Sequence, residues 1–213
     1  MNRFRSTRWA ALALVVIAAA AAMIVWLAPA ERTMGDGIRP VYVHVALIWT
    51  GMFGMLAAGL LGLALALSSR TDVGEWMDAV GWVTLGFLAA ALIASFAAQT
   101  VNWNGIFLDE PRMQMSIRVL AVFLIVQIAN RWLPWSRVRG LVMAASSAIM
   151  LAAMRFSPLV LHPKDPISTA SSASVQLTFA LLFVLCLSGA GVVVWYVSRW
   201  RGFALRESQA DTE

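Results

Sequence analysis

The sequence predicts an all-α polytopic membrane protein of six transmembrane helices, and three observations carry that prediction. First, 61% of the 213 residues are hydrophobic and only 13% are charged. A soluble domain usually carries roughly a quarter charged residues and just under half apolar ones. Second, the apolar residues gather in six runs near or above the roughly 20 residues needed to cross a bilayer. Third, most of the arginines lie in the short segments between those runs. This composition excludes a soluble globular enzyme, a disordered chain and a disulfide-stapled secreted domain.

The runs cover about 9–28, 41–67, 79–101, 114–130, 139–156 and 174–198. Helices follow because backbone polar groups in lipid must be satisfied within the segment. The first run, preceded by Arg3, Arg5 and Arg8 and closed by Ala28-Pro29-Ala30, imitates a signal peptide. A cleavable apolar region is usually about 7–15 residues and this one is longer, so it reads as an uncleaved span. Cleavage would leave five spans without changing the orientation of the rest. The second run carries Gly54, Ala58 and Gly62, a small-xxx-small stripe suited to helix packing. Pro111 precedes the fourth run and suits the first turn of its helix. Gln99, Gln127 and Gln176, in or near spans, are expected to bond across helices. Cys186 lies in the sixth run; as the only cysteine it forms no internal disulfide and reads as a small buried hydrophobe. Residues 1–206 thus form a single six-helix domain, and 207–213 a polar cytoplasmic tail.

The formal charge of +5 rests on fifteen arginines and Lys164. Their placement between apolar runs suits contact with anionic membrane lipid, not nucleic acid. One side of the membrane holds Arg3, Arg5, Arg8, Arg70, Arg131, Arg137, Arg139, Arg199, Arg201 and Arg206. The other holds Arg32, Arg39, Arg112 and Lys164, with Arg155 close by. The excess puts both termini in the cytoplasm. Trp9, Trp26, Trp76, Trp103, Trp132, Trp135, Trp195 and Trp200 fall near span ends, as an interfacial aromatic belt would.

That topology sends both histidines to the outer face. His44 lies just inside the second span, and His162 lies in the loop between the fifth and sixth. Either could be an interfacial hydrogen-bonder. As a pair they suit the two axial positions of haem iron, each offering one ring nitrogen while the other bonds a carbonyl or carboxylate. Zinc fits less well, because the nearby acids Asp109, Glu110 and Asp165 have no metal-ligand spacing. The segment Asn102–Gln114 is aromatic and apolar and then ends in two acids and an arginine. It reads either as an ordinary interfacial loop or as a shelf for a flat macrocycle, with Arg112 pairing a propionate. Arg118, inside the fourth span, should face a propionate or an acid such as Glu110, or snorkel to the interface.

The run Tyr42-Val43-His44-Val45-Ala46-Leu47-Ile48-Trp49 resembles the start of a core helix in the CcmC-type haem-handling proteins of cytochrome c maturation. That family typically reads Tyr-Ile-His-Val-Pro and then a Trp; Tyr42, His44, Val45 and Trp49 match, while Ala46 stands in place of Pro. Leu161-His162-Pro163 resembles the family's Leu-His-Gln-Pro, without the Gln. The 102–114 loop is similar in position to its tryptophan-rich signature, and here gives Trp103, Ile106, Phe107, Asp109, Glu110 and Arg112. Three of the four signature tryptophans are thus replaced. The order of these elements also agrees, over roughly residues 38–198.

The resemblance implies a six-span protein in a bacterial or archaeal cytoplasmic membrane, its outer loops facing a transiently bound b-type haem. His44 and His162 would be the axial ligands, with Trp103, Phe107, Arg112 and Arg118 as further cofactor contacts. Haem would pass onward for cytochrome c assembly, beside ABC transporter subunits and a haem chaperone. The chain itself reads as non-enzymatic, and it carries no GxxxxGK[ST] nucleotide loop. Two other classes compete: a haem-bearing subunit of an electron-transfer complex, and a haem-free small-solute permease. The first usually needs histidine pairs buried within spans, and the second needs buried charge along a pathway.

Overall fold

The computed structural model describes residues 2–158, 167 and 172–210, with side-chain environments from 7 to 199. The described chain is six helices: α1 (Asn2–Leu27), α2 (Ile38–Ser68), α3 (Thr71–Trp103), α4 (Pro111–Ala129), α5 (Ser136–Phe156) and α6 (Ala173–Ala210). All six are long and apolar enough to cross a membrane. Several outrun their apolar cores. The third apolar run starts at about 79, after the acidic stretch of Asp72, Glu75 and Asp78, but the helix already starts at Thr71. Asp72 in its first turn suits the positive end of the helix dipole. Likewise α6 continues past 198 and through the polar stretch to Ala210.

Helix α2 is the hub, packed along α3 and α5 and touching α6 and, at its start, α1. The small-residue stripe explains how it serves two partners. Gly54 lies against Thr84 of α3, whereas Gly62 lies against Gly140 and Met143 of α5. A Cβ on Gly140 would sit 2.3 Å from the Gly62 carbonyl oxygen, so these two backbones approach as closely as only glycine permits. Around this contact Met55, Ala58, Leu65, Met77, Leu85, Leu88, Val119, Phe123 and Met143 form the main core. Helix α1 packs chiefly on α6. Its exposed Trp9, Val15, Val16, Met23 and Trp26 suit a lipid-facing span.

The two ends of the bundle differ. At one end α1 finishes and α2 begins, and Ala28, Ile38, Val41, Tyr42, Ala46, Ala98, Ile167, Val175 and Leu182 form a second core that carries His44. At the other, Thr7 Oγ1 and the Tyr196 hydroxyl lie 3.3 Å apart, which brings the start of α1 beside the late turns of α6. This second end also holds Asp78 and Arg139, joined at 3.0 Å.

Candidate functional site at the His44 end

Four positions along the later half of α3 organise this end. Ala91, Ser95, Gln99 and Asn102 are spaced by four, four and three residues, which places them on one helix face. Each holds a different element. The Ala91 carbonyl accepts a hydrogen bond from His44 Nδ1–H at 2.9 Å. The Ser95 hydroxyl lies 4.0 Å from Met113 Sδ at the start of α4. Buried Gln99 accepts the Phe107 backbone N–H on Oε1 at 2.9 Å. Asn102 Nδ2 donates to the Gly37 carbonyl at 2.9 Å, just before α2. A Cβ on Gly37 would meet Asn102 Oδ1 at 2.4 Å, so this clasp needs glycine.

His44 is half-buried, six residues into α2 and therefore about 9 Å along it. Because a carbonyl oxygen can only accept, the Ala91 contact puts a ring proton on Nδ1, and in the neutral imidazole Nε2 then carries the lone pair. An imidazole oriented through one nitrogen by a carbonyl is the usual condition of a metal-ligating histidine.

The connection before α2 is a tight loop over 31–37. Glu31 accepts from Thr33 N at 2.8 Å, from Met34 N at 3.0 Å and from the Thr33 hydroxyl. Those bonds, the Thr33 hydroxyl foremost, hold the Glu31 carboxyl below its ordinary pKa. Gly35, at φ +55°, lets the chain turn and pair back on Glu31.

The connection after α3 is equally defined. Asn104 takes the left-handed conformation at φ +56° and caps α3, donating its N–H to the Thr100 carbonyl at 3.1 Å. Glu110 caps α4, accepting Met113 N–H at 2.7 Å, with Pro111 opening the helix. Glu110 is buried in doing so.

The other sequence-predicted residues fall around this frame. Trp103 is the half-buried last residue of α3. Phe107 is exposed on the loop, its ring beside Gly105. Arg112 is half-buried in the first turn of α4. Arg118 is exposed and donates to Gln114 at 3.3 Å, one turn back toward the helix start. That is the snorkelling geometry; the pairing with Glu110 does not form, because Glu110 is turned into the cap of its own helix. No described hydrogen bond, ion pair or ring contact joins Trp103, Phe107, Arg112 or Arg118 to His44. His162 lies outside the described residues, as do Lys164 and Asp165. Among the described residues no three His, Cys, Asp or Glu side chains gather as a metal site.

Sequence reasoning missed the aromatic seam between α2 and α6. Trp49 stacks on Phe53 at 6.3 Å and meets Phe179 and Phe183 edge-on at 6.2 Å. The i, i+4 spacing within each pair was the available signal. The expected cross-helix bonds do not form at two of the glutamines: Gln99 instead accepts the Phe107 amide from the loop after its own helix, and buried Gln127 finds no hydrogen-bond partner for either side-chain atom. Compared with known proteins, the chain matches no protein-family model and none of the curated proteins searched.

Proposed function

We propose that this protein binds haem as cargo at the His44 end and delivers it for cytochrome c assembly. The observation that supports this most is the His44–Ala91 contact. It fixes the ring and its tautomer, so that Nε2 would be the nitrogen offered to haem iron. On this reading His162 supplies the second axial imidazole. Arg112, a half-buried guanidinium with no carboxylate partner among the described residues, suits a propionate. Trp103 and Phe107 provide apolar contact beside the ring, and exposed Arg118 lies six residues past Arg112, between one and two turns further along α4. Bound haem supplies the iron; the chain's own part is to orient an imidazole, shield the macrocycle and let it go. Delivery implies a haem chaperone as acceptor and ABC transporter subunits alongside, at the extracytoplasmic face of a bacterial or archaeal cytoplasmic membrane.

The test is the visible spectrum of the full chain purified from a haem-replete host. A Soret band in the wild type, shifted or lost in His44→Ala and in His162→Ala, is the expected result. An undiminished band in the double variant would overturn the ligand assignment.

A further inference from the structure

The opposite end of the bundle carries a polar cluster that haem handling does not use. It is built around one turn of α3, from Asp78 to Trp82. Asp78 pairs with Arg139 of α5 at 3.0 Å. Gly81 faces the side-chain amide of Gln127 on α4, so closely that a Cβ there would sit 1.3 Å from Nε2. The Arg131 guanidinium stacks over the Trp82 ring, 5.3 Å from its centroid. Gln127 on α4 and Asn130, the residue that caps its end, stand at i, i+3, and both are fully buried, 1% and 0% exposed. Neither amide has a hydrogen-bond partner on either atom, and Trp82 Nε1 and Arg139 Nε are also without one.

Buried polar groups of this kind cost about 1–3 kcal/mol each when unmatched, so a native protein places them where something satisfies them. The unmatched atoms are mostly donors: two amide NH₂ groups, an indole N–H and a guanidinium N–H. Asp78 offsets Arg139, whereas Arg131 and Arg137 have no carboxylate partner among the described residues; Arg137 meets only the Ser69 hydroxyl, at 3.2 Å. The cluster therefore presents excess donors and uncompensated positive charge. Highly exposed Trp132 and Trp135 flank it, as interfacial indoles do at the headgroup level. We infer that this junction of α3, α4 and α5 is a binding site for the phosphate of an anionic phospholipid headgroup. Arg131 provides the charge, and the Trp82 N–H and the Asn130 amide provide directed donors.

The test uses the full chain, purified in detergent and stripped of lipid, with thermal unfolding followed as lipid is titrated in. Dioleoyl-phosphatidylglycerol should raise the midpoint saturably, while dioleoyl-phosphatidylcholine and inorganic phosphate should not. Arg131→Gln, Trp82→Phe and Asn130→Asp should each weaken that response about tenfold, as loss of one charge-assisted or buried bond implies. Arg32→Gln, at the opposite end, should leave it unchanged. Helical circular dichroism without lipid checks that each variant folds, and Trp82→Phe keeps the ring and removes only the donor. Equal stabilisation by phosphatidylcholine or by free phosphate would overturn the proposal. So would a response lost in Arg131→Gln but intact in both Trp82→Phe and Asn130→Asp, since the contact would then be diffuse surface charge.

Discussion

His44 Nδ1 donates to the backbone carbonyl of Ala91 across 2.9 Å, tying the first turns of α2 to the later half of α3. The carbonyl belongs to helix backbone, so no side-chain substitution on α3 removes it. One imidazole thus separates two roles: the packing bond seen through Nδ1, and the ligand bond through Nε2 that the proposed function requires.

Those roles come apart in His44→Asn. The asparagine Nδ2 amide can take the place of Nδ1 and keep the Ala91 bond, but asparagine offers no imidazole for iron. His44→Asn should therefore unfold within about 1 kcal/mol of the wild type and carry no haem. His44→Leu should lose both haem and stability. Denaturation in mild detergent, read beside the Soret absorbance, checks this; a haem-replete His44→Asn protein would contradict it.

Gln99 governs the loop that follows α3. Its Oε1 accepts the Phe107 N–H in a buried setting, and no other acceptor is described for that amide. Gln99→Met keeps the shape and deletes the acceptor, costing about 1–3 kcal/mol locally. Hydrogen exchange at Phe107 should rise, and trypsin should cut faster after Arg112. Gln99→Glu keeps an acceptor and should stay near the wild type in both measurements.

Six spans were legible because lipid imposes a length and a polarity that composition alone reports. The small-residue stripe was legible too, although not its division between α3 and α5. Helix ends were less so. Asp72 and Glu75 fall outside the apolar run yet inside α3, because hydropathy registers where lipid stops, not where helical hydrogen bonds stop. At the site, His44 and the Pro111 helix start could be picked out by residue type and position, whereas Glu110 read as a partner for Arg118 and not as the cap it is. The Ala91 acceptor could not, because a carbonyl oxygen has no signature in sequence. Asn102 passed as a loop residue, since its partner Gly37 lies 65 positions away.

Acid should loosen the 31–37 loop. The Glu31 carboxyl lies below its ordinary 4.5, chiefly through the Thr33 hydroxyl and the Met34 and Thr33 amides. A lowered carboxyl pKa stabilises the folded form above the unfolded value, and that contribution fades as pH falls through the folded value. The loop should therefore be intact at neutral pH, begin to weaken below 4.5 and open only as pH falls through the lowered folded value. Exchange at the Thr33 and Met34 amides, corrected for intrinsic rates, would show the opening. Thr33→Ala should move the transition to higher pH, and an unchanged midpoint would disprove the assignment.

The sharpest packing test lies at Gly140. A Cβ there would meet Gly62 O at 2.3 Å and Ala66 N at 2.7 Å, both of them backbone atoms. Neither can rotate away, so α2 and α5 must part. Gly140→Ala should destabilise by about 2 kcal/mol or more, the range of an overpacked core. Gly86→Ala is the control, because a Cβ at Gly86 has nothing within 4 Å. There alanine's better helix propensity, up to about 1 kcal/mol, should make the change neutral or stabilising. Equilibrium unfolding of both variants decides the matter. Equal effects would mean that the α2–α5 contact is looser than these distances require, and the hub role of α2 would then rest on α3 alone.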